Sequence, residues 1–159
     1  MRRKDRQVTS REGLEQIIAN CKICRLAMMT DDGLYIVPMN FGYQLLDDDS
    51  LELYFHSAPE GRKIEALRAA PSVCFEMDCE HELLEANVAC GYSFAYSSIV
   101  GNGTTVFFED LEEKRLALLK MMQHQTGKNH FTFPDEALRR VTVFKVNASH
   151  FTGKSHSKP

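Results

Sequence analysis

The stretch that decides the fold lies near the amino terminus and reads ICRLAMMTDDGLYIVPMNFGY over residues 23–43. Its two halves, 23–30 and 34–43, are apolar runs rich in strand-forming residues, and Asp-Asp-Gly separates them at 31–33. An Asp-Gly turn between two such runs is a strong signal for a β-hairpin. Pro38 cannot donate a hydrogen bond to a neighbouring strand, so the second strand is predicted to lie at a sheet edge or to carry a bulge.

The rest of the chain supplies more strands and a set of helices. Alternating or strand-rich side chains predict four further strands: 51–56, 73–78, 92–108 and 140–151. Apolar side chains at helical spacing predict three helices: 10–20, 61–70 and 110–124. A capping box at residues 9–12 is predicted to begin the first helix. The Gly-Asn-Gly sequence at 101–103 is predicted to bend or bulge the long strand.

The order of these elements predicts the fold class. About six strands and three helices follow one another mostly through short turns, which favours an antiparallel sheet over βαβ units. A barrel is the favoured arrangement for this mainly β, α+β chain because closure removes exposed sheet edges. The 159 residues match the length of one ordinary domain. We predict a single domain over 1–154 and a polar tail at 155–159.

Composition and charge argue against several function classes. The net charge is −3 with 19 basic residues, which disfavours a strongly cationic nucleic-acid binder. No apolar run approaches the ~18 residues that a membrane helix needs. The basic start, MRRKDR, is followed by polar QVTS, so no secretory signal is predicted. Five cysteines, an odd number, predict reduced thiols and a cytoplasmic protein.

The strongest local signal for function is the stretch YFHSAPEGRK over residues 54–63. It reads as a strand end, a short turn and a helix start, where free N–H groups and the positive end of the helix dipole collect. Arg62 and Lys63 are cations at the helix end that disfavours them, and a bound phosphate would explain their presence. Ser57 and Gly61 suit close approach of the backbone to an anion. The alternative is a solvated basic pair that forms salt bridges with neighbouring glutamates.

Cysteine and histidine residues form a second candidate site, for metal binding or redox chemistry. Cys21 and Cys24 have CxxC spacing, and Cys79 and His81 add further ligand types. A structural zinc site needs about four ligands, and one CxxC without a matching pair is a weak signal. Structural thiols are the favoured interpretation, with metal binding and redox chemistry as the alternatives. No metal site is therefore predicted.

Several segments, in order along the chain, resemble the flavin-binding split-barrel superfamily, the group of pyridoxamine 5′-phosphate oxidase and its relatives. They are LYIVPMNFGY at 34–43, YFHSAPEGRK at 54–63, PSVCFEMDC at 71–79, YSSIVG at 96–101 and FTGK at 151–154. Within this group the sequence is most similar to the Nim-type nitroimidazole resistance proteins. The resemblance implies a six-stranded antiparallel split β-barrel of Greek-key topology. It also implies a homodimer that binds FMN at the subunit interface.

Taken together, the resemblance and the helix-start signal predict the cofactor-binding residues. They are Val37, Pro38, Met39, Asn40, His56, Ser57, Gly61, Arg62, Lys63, Ser97 and Ser98. By the resemblance, the Arg-Lys pair holds the FMN phosphate, and the His-Ser pair contacts the ribityl-phosphate region. The backbone of 37–40 meets the edge of the isoalloxazine ring, and the two serines of the later strand add contacts.

The sequence also departs from the oxidase proper. Residues 34–43 contain no Lys or Arg, where the oxidase carries a basic residue, and residues 151–159 do not match its basic C-terminal segment. Pyridoxamine phosphate oxidation is therefore disfavoured. The resemblance implies instead an FMN-dependent oxidoreductase that reduces a small electrophile such as a 5-nitroimidazole, with FAD as the alternative cofactor. His56 is the implied catalytic residue, as a proton donor or substrate contact; its alternative role is to order the cofactor loop.

Two other hypotheses remain open at this point. One is a non-catalytic protein of the same fold that binds a flavin, a deazaflavin or haem in the same groove. The other is a small zinc-stabilised domain that uses Cys21 and Cys24. For the FMN-dependent oxidoreductase described above, the predicted partners are a second copy of the chain and a small-molecule substrate, with no nucleic acid and no membrane.

Overall fold

The computed structural model describes residues 3–156, which form one antiparallel sheet with four α-helices. The strands are β1 (Gln7–Val8), β2 (Ile23–Thr30), β3 (Gly33–Asn40), β4 (Gly42–Leu45), β5 (Leu51–Ser57), β6 (Ser72–Leu84), β7 (Ser93–Phe108) and β8 (Thr142–His156). The helices are α1 (Arg11–Asn20), α2 (Arg62–Ala69), α3 (Leu111–Thr126) and α4 (Asp135–Arg139). Within the described part of the chain every strand pair is antiparallel, as predicted.

The sheet is a split barrel that is joined through a single residue. Its strands follow the order β3-β2-β6-β7-β8-β5-β4, and β1 is added to β8. The two end strands, β3 and β4, are consecutive in the chain, and only Phe41 separates them. The continuous stretch from β3 to β4 therefore pairs first with β2 and then, after Phe41, with β5. The predicted six-stranded split barrel is confirmed, with β3 and β4 together counting as one strand and the short β1 outside the six.

The strands differ from the predictions mainly at their ends. The strand predicted at 34–43 is divided at Phe41 because its two parts pair with different neighbours. β6 continues past residue 78 to Leu84, although its register with β7 shifts between Cys79 and Glu82. This extension has polar side chains that face solvent, so its sequence lacks the alternation of a half-buried strand. β8 reaches His156, so the predicted tail at 155–159 begins inside a strand; residues 157–159 lie outside the described residues.

Two sequence signals inside the strands have the structural meaning that was predicted. Pro38 lies in β3, which is an end strand of the sheet. The Gly-Asn-Gly sequence of β7 coincides with a register shift against β8 between Asn102 and Thr104. A Cβ at Gly101 would lie 2.5 Å from a ring carbon of Phe75, so glycine is required there for the core ring to approach the strand.

The helices begin and end at recognisable caps. Ser10, not Thr9, caps α1, because the Ser10 Oγ accepts a hydrogen bond from the Gly13 N–H at 3.2 Å. The predicted capping box was therefore wrong by one residue. Asp110 caps α3 through two backbone N–H groups, and Gly127 ends that helix at a φ of 72°. The one-turn helix α4 was not predicted. Within residues 3–156 no helix has both the length and the apolar composition of a membrane span.

The barrel interior is filled by aromatic and aliphatic side chains. Four phenylalanines are among the largest fully buried side chains: Phe41, Phe55, Phe75 and Phe144. The Phe55 and Phe144 rings are stacked, with their centroids 5.3 Å apart. A second, smaller cluster seats α3 against β5 and β8, and consists of Tyr54, Ala117, Met121 and Val143. This packing holds the middle of β5 against α3 and β8.

Helix α3 also fixes the corner between β3 and β4. The Phe41 carbonyl oxygen accepts a hydrogen bond from the Gln125 Nε2 at 2.9 Å and lies 2.8 Å from the His124 Nδ1. The next residue, Gly42, touches the helix backbone so closely that a Cβ there would lie 2.5 Å from the Met121 nitrogen. The corner therefore requires both the polar groups of α3 and a residue without a side chain.

Replacing Gly42 by Ala is expected to destabilise the protein by about 1–3 kcal/mol, because the helix backbone cannot move away as a side chain could. Urea denaturation followed by circular dichroism would measure the free energy of unfolding. Gly127→Asn is the matched control, since Gly127 has a left-handed backbone with open space around it and asparagine tolerates that conformation. Equal stability of Gly42→Ala and the control would contradict this description of the corner.

Candidate functional site

The end of β5 and the start of α2 form the centre of the candidate site. His56 and Ser57 are the last two residues of β5, and they pair with Val143 and Thr142 of β8. A short turn then leads to Gly61, whose φ of 121° is a conformation that side-chain-bearing residues rarely adopt. This glycine is the N-cap of α2 and has open space where a side chain would be.

The first turn of α2 leaves backbone donors without acceptors. The Gly61 carbonyl accepts hydrogen bonds from the Ile64 and Glu65 N–H groups at 2.8 and 3.1 Å, and no side chain caps the helix. Among residues 3–156 the backbone N–H groups of Arg62 and Lys63 have no protein acceptor. Such free N–H groups, at the positive end of a helix dipole, favour an anion.

Lys63 supplies a positive charge that the surrounding protein does not neutralise. The side chain is half-buried, and its burial lowers the pKa of the ammonium group. No carboxylate of the described residues lies within 4.0 Å of its Nζ. A partly desolvated cation without a counter-ion costs free energy, and a bound anion would offset that cost. The salt bridges with Glu60 or Glu65 that the alternative interpretation requires are absent at this lysine.

The charge of Lys63 affects the pKa of His56. Removal of water from around the imidazole, and secondly the charge of Lys63, lower the pKa of His56 below its ordinary value. Its imidazole has no hydrogen-bond partner within the part of the chain that the structure describes. His56 is therefore mainly neutral at neutral pH, and both ring nitrogens are available to another molecule.

Arg62 contacts the β2–β3 hairpin instead of the turn that precedes it. Its guanidinium lies 4.6 Å from the ring centroid of Tyr35 and donates a hydrogen bond to the Thr30 Oγ1 at 3.1 Å. The Asp32 carboxylate lies 3.6 Å from the same group. The sequence does not reveal these three partners, because only the folded hairpin brings them beside α2. Arg62 is half-exposed and keeps donors free for a ligand.

A cleft runs along this hairpin. A surface depression of about 350 Å³ lies between the hairpin and α2, lined by Thr30, Asp32, Arg62 and neighbouring residues. A larger cleft of about 610 Å³ shares Met29 and Ala70 with it and continues across the outer face of the sheet. Volumes of this size are those of sites for small molecules and cofactors.

The predicted residues of β3 lie at the edge of the split. Val37 and Met39 pack towards the core, whereas Pro38 and Asn40 are exposed. Asn40 is the last residue of β3, where it pairs with Ile23, and the chain then turns at Phe41 into the ladder with β5. The Asn40 Nδ2 donates to the Gln125 Oε1 at 3.3 Å, so the strand end is tied to α3. Because β3 is an end strand, its outer backbone groups are available to a ligand.

Ser97 and Ser98 lie elsewhere in the chain. Ser98 pairs with Lys154 of β8, whereas His56 pairs with Val143, eleven residues away along the same strand. Ser97 is buried, and its Oγ donates to the Glu80 Oε2 at 2.6 Å. Contacts from these serines to a cofactor beside His56 remain a prediction.

The CxxC motif does not form a cluster of metal ligands. Cys21 and Cys24 are both buried and carry free thiols. Among residues 3–156 no group of three or more His, Cys, Asp or Glu side chains is arranged to hold a metal ion. Burial raises the pKa of both thiols, which is typical of structural cysteines. The structure therefore gives no support to the zinc-stabilised alternative.

Comparisons with known proteins agree with the fold. The family model described as pyridoxamine 5′-phosphate oxidase matches residues 10–155. A solved candidate 5-nitroimidazole antibiotic resistance protein from Bacteroides thetaiotaomicron VPI-5482 is 39% identical, with a TM-score of 0.80 over 94% of this chain and 86% of that one. No curated protein matches the sequence.

Two more distant structures share the fold alone. The flavocytochrome Anf3 from Azotobacter vinelandii is 15% identical, with a TM-score of 0.81 over 100% of this chain and 73% of that one. The FAD and heme binding protein from Mycobacterium smegmatis is 19% identical, with a TM-score of 0.80 over 97% and 75% of the two chains. Their similarity confirms the architecture. The chemistry of this chain has to be inferred from its own residues.

Replacing Lys63 by Met is expected to raise the pKa of His56, because it removes the nearby positive charge. An NMR titration of the imidazole Cε1 proton, assigned with a His56→Gln variant, would measure the change. Lys154→Met, a lysine at the far end of β8, is the control and should leave the pKa of His56 where it is. An unchanged His56 titration in Lys63→Met would show that the two groups are not coupled.

Proposed function

The chain belongs to the pyridoxamine 5′-phosphate oxidase family, and on that premise we propose that it is a homodimeric FMN-binding flavoprotein. Its proposed reaction is the reduction of a small electrophile, with a nitroaromatic such as a 5-nitroimidazole as the candidate substrate. FAD is the alternative cofactor, since the residues that would face the phosphate suit both flavins.

One observation carries the proposal of a phosphate-bearing cofactor. Lys63 is a half-buried ammonium without a carboxylate partner, next to two backbone N–H groups that lack acceptors within residues 3–156. A phosphate group supplies the negative charge and the acceptor oxygens that these groups lack. Arg62, the first residue of α2, is held over Tyr35 of the neighbouring hairpin and would add a planar donor fork. The residues present therefore fit the phosphate of a flavin nucleotide.

The remaining residues of the site would orient the flavin ring. The outer backbone of β3 from Val37 to Asn40 lies at a sheet edge and offers hydrogen-bond donors and acceptors to the ring, with Pro38 as an exception without an N–H. Ser57 ends β5 beside the phosphate-binding turn and would contact the linking chain of the cofactor. When bound, the flavin supplies the electron and hydride transfer.

His56 would hold and deliver a proton to the substrate. In the unliganded protein its pKa is lowered partly by Lys63, so the imidazole is mainly neutral. A phosphate beside Lys63 would offset that charge and favour the protonated imidazole, which is the form that donates. The free ring nitrogens of His56 allow contact with a substrate.

The exposed face of the β2–β3 hairpin supports a second copy of the chain as the partner. Met29 and Leu34 are directly paired across the hairpin and are 55% and 79% exposed, and Ile36 beside them is 62% exposed. A contiguous apolar patch of this kind is typical of an interface. In the proposed dimer the second copy covers this patch and brings its own Ser97 and Ser98 towards the cofactor.

Binding without turnover is the second candidate function. The fold is shared with a flavocytochrome and with a FAD and heme binding protein. In this chain the observation that favours it is the free imidazole of His56, because histidine is also a ligand of haem iron. The absorbance spectrum of the purified protein separates a bound flavin from a bound haem.

Arg62→Ala and Lys63→Ala are each expected to weaken FMN binding about 10- to 100-fold, since each removes a charge-assisted contact to the phosphate. Fluorescence titration with FMN and with riboflavin, which has no phosphate, would measure both affinities. The affinity for riboflavin should change little. Arg68→Ala, at the opposite end of the same helix, is the control. A parallel loss of FMN and riboflavin affinity would contradict phosphate binding at this turn.

The FMN-loaded protein, reduced without oxygen, is expected to transfer electrons to a 5-nitroimidazole. Return of the flavin absorbance near ~450 nm in a stopped-flow experiment would measure the rate. His56→Gln should slow this step about 100-fold or more if the imidazole delivers a proton. His150→Gln, an exposed histidine of β8, is the control. Tight FMN binding without any return of absorbance would favour the non-catalytic candidate.

A further inference from the structure

A pair of thiols that the CxxC spacing does not reveal lies between α1 and β6. Cys21 follows the last residue of α1, and its backbone N–H donates to the Ile17 carbonyl at 3.1 Å. The Cys79 Sγ lies 3.9 Å from the same oxygen and donates to it. One carbonyl thus holds the backbone of one cysteine and the thiol of the other.

The residues next to the two cysteines are also joined. The Asn20 Nδ2 donates to the Glu80 Oε1 at 3.0 Å, which ties the end of α1 to β6 at the same level. After burial, the largest influence on the pKa of each thiol is the other one: Cys79 raises the pKa of Cys21, and Cys21 lowers the pKa of Cys79. Two independent links therefore hold this cysteine pair in register.

Cys24, the other half of the CxxC motif, is not the partner of Cys21. It lies in β2 opposite Met39 and is fully buried. The strand that follows Cys21 carries Cys24 away from it.

We propose that Cys21 and Cys79 are a disulfide-forming modification site that fastens α1 to β6 when the protein meets a hydroperoxide. Cys79 is partly exposed whereas Cys21 is 1% exposed, so the oxidant reaches Cys79 first. The Cys79 sulfur attacks the peroxide O–O bond and becomes a sulfenic acid, and with hydrogen peroxide a water molecule leaves. The Cys21 sulfur then attacks that sulfur, the S–S bond forms, the S–O bond breaks and a second water leaves.

The electron balance of this reaction is complete. The two thiols lose two protons and two electrons, and the peroxide takes them up as two water molecules. Burial raises the pKa of both thiols, so little thiolate is present at neutral pH and the reaction is slow there. It speeds up as the pH rises. The pair is therefore a site that responds to sustained oxidant, without a catalytic role.

The link would stabilise the folded protein. It closes a loop from Cys21 to Cys79 that contains β2 to β5 and α2, and a closed loop of this length reduces the conformational freedom of the unfolded chain. The oxidised protein should therefore melt several degrees above the reduced one. The cysteine pair lies away from His56, but Cys79 is paired with Ser97 across β6 and β7, so its test is made both with and without added FMN.

A Cys74→Ser/Cys90→Ser background makes the test unambiguous, because it removes the two exposed thiols. Three cysteines remain, and trypsin separates them: Cys21 lies in fragment 12–22, Cys24 in 23–25 and Cys79 in 69–114. After treatment of the native protein with hydrogen peroxide, we expect the number of free thiols to fall from three to one. Mass spectrometry of a non-reducing digest should show fragments 12–22 and 69–114 linked, and dithiothreitol should release them.

Variants of that background supply matched controls. Cys24→Ser should keep the link and the rise in melting temperature, and Cys79→Ala should lose both. A link between fragments 12–22 and 23–25 would overturn the proposal, as would three free thiols or a sulfinic acid at Cys79 without a link. The linked fragment is measured on the background protein itself, so a folding defect in either variant does not affect that result.

Discussion

The architecture depends on the way in which the chain turns the corner at Phe41. This residue leaves the ladder with β2 and has not yet entered the ladder with β5, so its buried carbonyl needs a partner outside the sheet. Gln125 and His124 of α3 provide the polar groups, and Gly42 lets the helix approach closely enough for them to reach. Without the helix at this point, the corner would carry an unsatisfied polar group in the core. The position of α3 and the turn of the chain at Phe41 therefore depend on each other.

The same corner determines where a ligand site can form. Because the two edges of the sheet are not paired with each other, the end of β3 and the end of β5 face a gap, with α2 beginning at its rim. Polar groups at such a rim keep access to water, which makes it possible to leave Lys63 without a carboxylate partner. A closed barrel would have buried this charge or paired it. The split thus allows a half-buried lysine without a counter-ion, which folded proteins normally avoid.

The sequence predicted the fold well because most of its signals are local. The Asp-Asp-Gly turn, the alternation in β5 and the helical spacing of apolar residues depend on neighbours within a few residues. The division at Phe41 was missed because an apolar strand looks the same whichever strand it pairs with. The residues that hold Arg62 were missed for the same reason, since Thr30 and Tyr35 meet it only through tertiary packing. The Cys21 and Cys79 pair shows this most clearly, because the two cysteines are far apart in the sequence and yet both donate to the Ile17 carbonyl, Cys21 through its backbone N–H and Cys79 through its thiol.

The last strand has a consequence for how the protein acquires its structure. β8 pairs with β1, β5 and β7, so three separate parts of the chain depend on residues 142–156. On the ribosome these residues emerge after all the other strands, and until then β5 and β7 have exposed edges and no common neighbour. Assembly of the sheet must therefore wait for the end of synthesis of this segment. During that interval the partly made chain is expected to need protection from aggregation, for example by chaperones that bind extended apolar segments.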